Sequence, residues 1–352
     1  MRETLAPLAA PAIALAGAAA VGGALVAAAG ANPLQVAATV ARGVLGTPDG
    51  IASVVFAATT LAFTGLSVAF AFRAGLFNIG AEGQVAVGSL AATVAAIALG
   101  ERSAPLVVGA AALAGAAAGA AWGAVPGILR ARLGVHEVIN TIMMNFVAAG
   151  LTGYLTVHVL REEGEMIPQT PPVPEAAHVA RLGDLPWLEK VFPSSSPANA
   201  AVFLALAVAA LAAWILARTP LGFEMRAVAA GERAARTSGI PVGATWIRAM
   251  AVAGAFAGLA GVNEVLGFRH RFVDGFTSGV GFLGIAVALL GRGRVPGVLG
   301  AALLFGGLGA GAVEIDVATE VPREVVLVAQ GALLLFLAGG DELARRLPGR
   351  AR

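Results

Sequence analysis

The sequence predicts an all-α, polytopic membrane protein of about ten transmembrane helices. Two observations carry that prediction. Of 352 residues, 58% are hydrophobic and only 12% charged, with 47 glycines besides, whereas soluble domains carry about 25% charged residues. A fold of this size cannot hide that much apolar surface from water, so lipid must be its main solvent. The apolar residues also fall into runs near the roughly 20 residues that one membrane crossing needs. The net charge is +2 and no basic cluster is dense, which argues against nucleic acid as a partner. Cysteine is absent, so disulfides, thiolate metal sites and cysteine nucleophiles are excluded.

The runs, bounded by charges or by Pro/Gly clusters, are 6–29, 51–72, 81–99, 105–129, 138–158, 199–217, 249–268, 279–291, 296–313 and 324–339. The first ends in Ala27-Ala28-Ala29, like a signal-peptide cleavage site, but it exceeds the roughly 7–15 residues of a signal core and reads as an uncleaved span. The run 279–291 is too short to cross without help from its neighbours. Arginine gives the orientation, because positive charge collects on the cytoplasmic side. With ten crossings and an inside N-terminus, the inner segments hold Arg2, Arg73, Arg130, Arg132, Arg218, Arg226, Arg233, Arg236, Arg248, Arg292, Arg294, Arg345, Arg346, Arg350 and Arg352. Both termini are then cytoplasmic. The outer loop 159–198 is acidic and proline-rich, and the inner loop 218–248 is the longest cytoplasmic connection. Residues 1–352 read as a single transmembrane domain.

Gly115, Gly119, Gly123 and Gly127 recur every fourth residue on the fourth run, and Gly254-x-x-x-Gly258 starts a similar face. Small residues let helices approach closely in lipid, so these glycines are expected to pack helices. Two segments interrupt the apolar flow. Arg73 to Gln84 brings Asn78, Glu82 and Gln84 near membrane depth, and Arg271 to Gly281 carries Asp274, Phe276, Thr277 and Ser278. Polar groups there must face protein or a water-filled path. The arginine count puts the first break on the inner side and the second on the outer side. Breaks of opposite sidedness in two halves are the trace of an inverted repeat around a pathway; the alternative is two tight turns. Asn140 and Asn145 add polar groups to one helix. Glu264 is either a carboxylate on the path, able to relay a proton, or the partner of Arg269 or Arg271 at the outer surface.

No enzyme emerges. His136-Glu137 would need a histidine at 140 for a zinc motif, and Asn140 stands there; no metal set is expected. The sole lysine, Lys190, is followed by Val191, so no phosphate-binding loop exists. No serine sits in a nucleophile elbow. The chain cannot hydrolyse ATP by itself.

In the inner loop, Pro220 and Gly222 open a short helix, Gly231 breaks it, and a second helix runs to Gly239 before Pro241. Glu232 and Arg236 form an i,i+4 pair. Leu221, Phe223 and Met225 give the first helix apolar side chains beside Arg226 and Arg233, a surface suited to docking on a soluble partner. The plainer reading is a solvated hairpin. The stretch Arg218-Thr-Pro-Leu-Gly222, Arg226-Ala-Val228, Gly239-Ile240 resembles the coupling loop of ABC-importer permeases of the branched-chain amino acid and simple-sugar class. Gly75-Leu-Phe-Asn-Ile-Gly-Ala-Glu-Gly-Gln84, the run from His136 to Asn145, and Gly275-Phe-Thr-Ser-Gly279 are similar to the nucleoside-type permeases of that class, which work with basic-membrane-protein-type lipoproteins.

That resemblance implies a cobalamin-importer-like fold with ten spans and two inverted repeats. It implies three partners: an ABC ATPase subunit, a second homologous permease, and an extracytoplasmic substrate-binding lipoprotein. It implies no cofactor on this chain, with ATP and Mg on the partner ATPase. The cargo is a small polar solute; nucleosides lead, and purines, riboflavin or a sugar fall within the wider class. The expected solute pathway is Asn78, Glu82, Gln84, Asn140, Asn145, Glu264, Phe276, Thr277 and Ser278. The expected ATPase contacts are Leu221, Gly222, Phe223, Arg226, Gly231, Arg233 and Gly239. The competing reading is a proton-coupled secondary transporter using Glu82, Glu137 or Glu264, which leaves the two inner-loop helices without a role.

Overall fold

The structure is a computed structural model that describes residues 9–346 apart from 163, with side chains for 13–336. Arg2, Arg350 and Arg352, on which the reading of the termini partly rests, lie outside the described residues, as do residues 6–8 of the first run and the side chains of Arg345 and Arg346. The described residues form helices α1 (Ala9–Ala28), α2 (Pro33–Leu45), α3 (Pro48–Phe72), α4 (Ala81–Leu99), α5 (Ala104–Leu133) and α6 (Glu137–Leu155). After the long loop come α7 (Ala201–Arg218), α8 (Pro220–Ala230), α9 (Glu232–Thr237), α10 (Val242–Gly258), α11 (Val280–Leu290), α12 (Val295–Ala318) and α13 (Glu324–Arg346).

Among the described residues, seven helices are long and apolar enough to cross a membrane, or eight if α1 and α2, bent by 113°, count as one span. Each of the ten runs read from the sequence contains a helix among the described residues. Two of them fall short on length: α11 has 11 residues, about 16 Å, and the apolar part of α13 is Glu324–Phe336. Helix α2 lies where the runs left only a connection. Asn32 caps it, its Oδ1 accepting the N–H of Leu34 at 3.0 Å and of Gln35 at 3.4 Å, and Pro33 takes the first helical position, where its missing N–H costs nothing.

Among the described residues two compact units result, one from residues 9–57 with 303–346 and one from 58–302. In the first, Val26, Val36, Ile315, Val321 and Val326 share a small core. The second unit contains the segments of functional interest. Its centre is a close crossing of α5 with α10, where the expected glycine faces meet. A Cβ on Gly119 would strike the Gly254 carbonyl, one on Gly254 the Gly119 carbonyl, and one on Gly258 the Gly115 carbonyl. Gly88 brings α4 into the same junction against Gly258 and Gly115. Association in lipid comes from such backbone approach, so these glycines serve the structural role expected of them.

The second unit has two distinct ends. At one, the long loop folds back on residues 266–274: the N–H groups of Thr170, Val173 and Val179 donate to the carbonyls of Phe272, His270 and Leu266 at 2.9, 2.8 and 3.0 Å. Glu101 accepts the N–H of Glu175 at 3.0 Å and of Ala176 at 3.3 Å. Val173, Ala177 and Phe272 close a core with Leu90, Ala111 and Leu266. At the other end, α8 and α9 gather with Arg130, Glu137 and Trp246. Arg73 there donates from Nη2 to the Gly293 carbonyl at 2.9 Å. Arg130 and Arg236, both counted with the inner segments, line one cleft at this end.

Candidate functional site

Between these ends the two broken segments meet. Residues 73–80 return from the α8–α9 end and start α4 at Ala81; residues 271–279 descend from the long-loop end and start α11 at Val280. Glu82, in the first turn of α4, joins them. Its Oε1 accepts the Gly279 N–H at 2.9 Å and its Oε2 the Gly281 N–H at 2.7 Å. The first N–H groups of a helix lack intrahelical partners and attract anions, so a carboxylate caps α11 from another helix. Gly281 admits this approach because a Cβ there would strike the Glu82 backbone. The chain turns at Gly279 with φ 91°, next to Ser278 at φ 42°, a region that L side chains other than glycine rarely enter. The two breaks are thus joined through Glu82.

Asn78 is wholly buried and its amide is saturated. It donates to Ser67 Oγ at 3.1 Å and to Gln84 Oε1 at 3.0 Å, and accepts from Gln84 Nε2 at 3.1 Å and from the Gly80 N–H at 3.1 Å. Asn145 clasps the same turn from α6, accepting the Gly83 N–H and donating to the Ile79 carbonyl, both at 3.0 Å. Asn78, Gln84 and Asn145 thus hold the first break in shape. Asn140 lies about 1.4 turns nearer the start of α6 than Asn145; it is buried, and its Nδ2 has no hydrogen-bond partner among the described residues. In the second break, Phe276 packs edge-on to Phe272 at 5.4 Å under Arg269 at 5.5 Å. The Thr277 carbonyl accepts the Val280 N–H at 2.8 Å, and the exposed Ser278 hydroxyl donates to the Gly275 carbonyl at 3.1 Å.

Glu264 sits where α10 continues into a wider helical turn, Val262–Arg269. Such i→i+5 turns are rare and frequent at functional sites. Its Oε1 accepts from the Thr60 hydroxyl at 2.7 Å, Asn263 Nδ2 donates to the same hydroxyl at 2.7 Å, and Arg269 lies 3.5 Å from Oε2. Glu264 is thus buried, with Thr60 and Arg269 as its partners.

A set of buried hydroxyls lies beside these residues. Thr60, Thr64 and Ser67 lie on one face of α3 by i,i+4,i+7 spacing, and Ser89 and Thr93 answer from α4; all five are buried. That spacing was available in the sequence, but Ser and Thr in helices usually bond back to their own backbone, as Thr93 does to the Ser89 carbonyl at 2.8 Å, and so attract little notice.

At the other end, the inner-loop residues form the two expected helices. Thr219 caps α8, its hydroxyl accepting the Gly222 N–H at 3.3 Å. Gly222 lies where a Cβ would strike the carbonyls of Ile215 and Leu216. Arg226 donates to the Leu216 carbonyl. Gly231 separates α8 from α9, and Gly239 ends α9 with its N–H on the Arg236 carbonyl at 3.0 Å while Ile240 bonds Ala235 at 3.0 Å, a glycine C-cap. Arg236 and Glu232 pair at 2.9 Å. Leu221 is half-buried, whereas Arg226, Arg233 and Phe223 are exposed, Phe223 to 60%. Among the described residues no cluster of three His, Cys, Asp or Glu could hold a metal.

The comparisons with known proteins agree. The family described as Branched-chain amino acid transport system / permease component matches residues 50–338. The guanosine ABC transporter permease protein NupP of Bacillus subtilis is 40% identical over 281 residues, 80% of this chain and 78% of that protein. The glucose ABC transporter permease protein TsgB13 of Haloferax volcanii is 32% identical over 97% of this chain and 90% of that protein. A second Bacillus subtilis protein, the guanosine ABC transporter permease protein NupQ, is 30% identical over 72% of this chain and 78% of its own length. No solved structure matches. With matches of this extent and a helical chain fit for multiple crossings, the protein belongs to the branched-chain amino acid transport system permease family and is a permease subunit of an ABC importer of the nucleoside and sugar type.

Proposed function

We propose that this permease moves nucleosides into the cell, with the solute path running past the junction of the two broken segments. Family membership makes the chain a multi-pass membrane permease that is not itself an enzyme, with ATP hydrolysis on a separate ATPase. It implies that ATPase and a substrate-binding protein as partners, and it displaces the proton-coupled alternative. The observation that supports the pathway is Glu82 holding the Gly279 and Gly281 N–H groups, so that a carboxylate in the first turn of α4 caps the 11-residue α11. The nucleoside reading rests on the 40% identity to a guanosine permease, set against the glucose permease at 32%.

In this reading Phe276, Thr277, Ser278 and Asn140 face the solute. Asn78, Gln84 and Asn145 build the wall, since their polar atoms are occupied, and Glu264 braces α10 on α3. Ten crossings with two inverted repeats, in the manner of the cobalamin importer, require α11 and α13 to cross in company with their neighbours. Residues 1–352 then act as one permease domain with both termini in the cytoplasm. A second permease completes the channel, as the paired NupP and NupQ suggest, and ATP and Mg stay on the ATPase. Leu221, Gly222, Phe223, Arg226, Gly231, Arg233 and Gly239 form the ATPase contact.

The test has two steps. Tagged chain purified in mild detergent and weighed by native mass spectrometry is expected to carry a second permease and an ATPase. The complex, reconstituted with its binding protein, is expected to take up tritiated guanosine on ATP addition, with competition by other nucleosides and not by glucose. Uptake of glucose with none of guanosine overturns the nucleoside assignment.

A further inference from the structure

A continuous set of contacts runs from α8 to the first broken segment. Glu224 of α8 accepts from the Thr245 hydroxyl at 3.1 Å and from Arg248 at 3.4 Å, tying α8 to the first turns of α10. The next residue, Trp246, carries the Arg130 guanidinium 4.4 Å above its ring. Arg130 in turn pairs with Glu137, which is only 5% exposed. The second carboxylate oxygen of Glu137 accepts the Phe77 N–H at 3.4 Å. Phe77 directly precedes Asn78, the residue that clamps the break. Alongside this route, a Cβ on Gly75 would lie 3.4 Å from the Ala229 backbone, so α8 also abuts the start of the same segment.

The surroundings of the pair are uneven. An open cleft of about 390 Å³, lined by Arg130, Glu137, Glu232, Arg236 and Trp246, separates it from α9. Helix α9 faces the pair across that space, whereas hydrogen bonds, a cation–π contact and an ion pair connect α8 to Phe77. Packed contacts of this kind shift between discrete arrangements rather than deform continuously.

We propose that the Arg130–Glu137 pair, seated on Trp246 and holding the Phe77 N–H, is the strut that carries displacement of α8 into the broken segment 73–80. Glu137 is then a positioning residue for transport, acting through Phe77 and Asn78 on Glu82 and the start of α11. The inference rests on the reading of α8 and α9 as the ATPase contact.

Because the chain contains no cysteine, a single Ser278→Cys reports on the far end of the route. The complete complex in nanodiscs is labelled with a hydrophilic maleimide, nucleotide-free and with a non-hydrolysable ATP analogue, while ATP hydrolysis is measured in parallel. The labelling rate is expected to change about 5-fold with nucleotide, the low end of typical coupling between sites. Adding Glu137→Gln is expected to abolish that change while the ATPase stays bound and hydrolyses ATP. The exchanged pair Arg130→Glu with Glu137→Arg is expected to restore at least half of it. If Glu137→Gln fails to assemble, Trp246→Leu, which removes the shelf under Arg130, is expected to weaken the response in the same way. A full nucleotide response in Glu137→Gln, or in an assembled Trp246→Leu complex, overturns the strut, as does an unresponsive Ser278→Cys reporter in a complex with native Arg130, Glu137 and Trp246 that hydrolyses ATP and still takes up solute. Failure of the ATPase to co-purify with the unmodified chain overturns the underlying ATPase-contact reading, and it is visible before any labelling.

Discussion

Glu82 uses both carboxylate oxygens on backbone N–H groups of another element, and its replacement tests the junction directly. Glu82→Gln leaves one acceptor and turns an amide NH₂ toward the other N–H. A hydrogen bond to a charged group contributes about 1.5–3 kcal/mol, so uptake is expected to fall about 10-fold or more in a complex that still holds its ATPase. Unchanged uptake would remove Glu82 from the junction's working parts. A second residue-scale prediction concerns His270, which stacks on His178 with ring centroids 3.8 Å apart. Burial, then the charges of His178 and Arg181, holds the His270 imidazole below its ordinary range, with the Leu266 carbonyl opposing. Its folded pKa is thus depressed, and between that value and about 6.5 the unfolded state binds more protons. The contribution is fully present above about pH 6.5 and is lost as pH falls below it. Amide exchange at Val173 and Val179, corrected for the intrinsic pH effect, is expected to accelerate from pH 7 to pH 5.5, and His270→Gln to flatten that change. A pH-independent protection would sink the idea. Polar residues in an apolar run were legible as a break. That Asn78 is saturated by Ser67, Gln84 and Gly80 was not, because its partners sit on two different helices.

At the scale of elements, glycine spacing was the most readable signal, since a four-residue repeat of the smallest side chain has few uses besides close packing. The repeat named the faces of α5 and α10 but not that they face each other; that pairing depends on which helices the loops allow to meet. Gly119→Leu places four carbons where the Gly254 carbonyl lies. Overpacking typically costs 1–3 kcal/mol where side chains can yield, and here the obstacle is backbone. The variant is expected to be lost from the membrane or to fail to assemble, whereas Gly109→Leu, with open space at its Cβ position, should accumulate normally. Equal accumulation of the two would refute a packing role. Helices α8 and α9 were legible from Pro220, Gly231 and Gly239 because those residues act locally. The wider turn at 262–269 was not, for nothing in Val-Asn-Glu-Val distinguishes i→i+5 bonding from an ordinary helix. Helix α2 escaped because its apolar run is short, although Asn32-Pro33 is a helix-start signal. Substituting Leu221, Phe223 and Arg226 together by Ser is expected to separate ATP hydrolysis from uptake; normal uptake would argue against this loop as the ATPase contact.

Over the whole molecule, the arginine count sorted the connections into two groups, and the second unit has the same two groups at its two ends. Arg73 reaches Gly293, and Arg130 stands over Trp246 beside α9, while Arg181 donates to the Ser194 carbonyl at 2.9 Å within the long loop. The grouping is legible because charge is expelled from hydrocarbon to one face or the other. Which end faces the cytoplasm follows only from the excess of arginine around α8 and α9, and labelling decides it. With no native cysteine, Met166→Cys, at a residue 92% exposed in the long loop, and Phe223→Cys, at one 60% exposed on α8, report the two ends separately. An impermeant maleimide added to intact cells is expected to modify Met166→Cys at once and Phe223→Cys only after the membrane is opened. The reverse pattern would turn the protein over and place α8 and α9 outside, where a cytoplasmic ATPase has no access. That result would overturn the ATPase contact and the strut built on it, while leaving the Glu82 junction, which depends on neither end, as it stands.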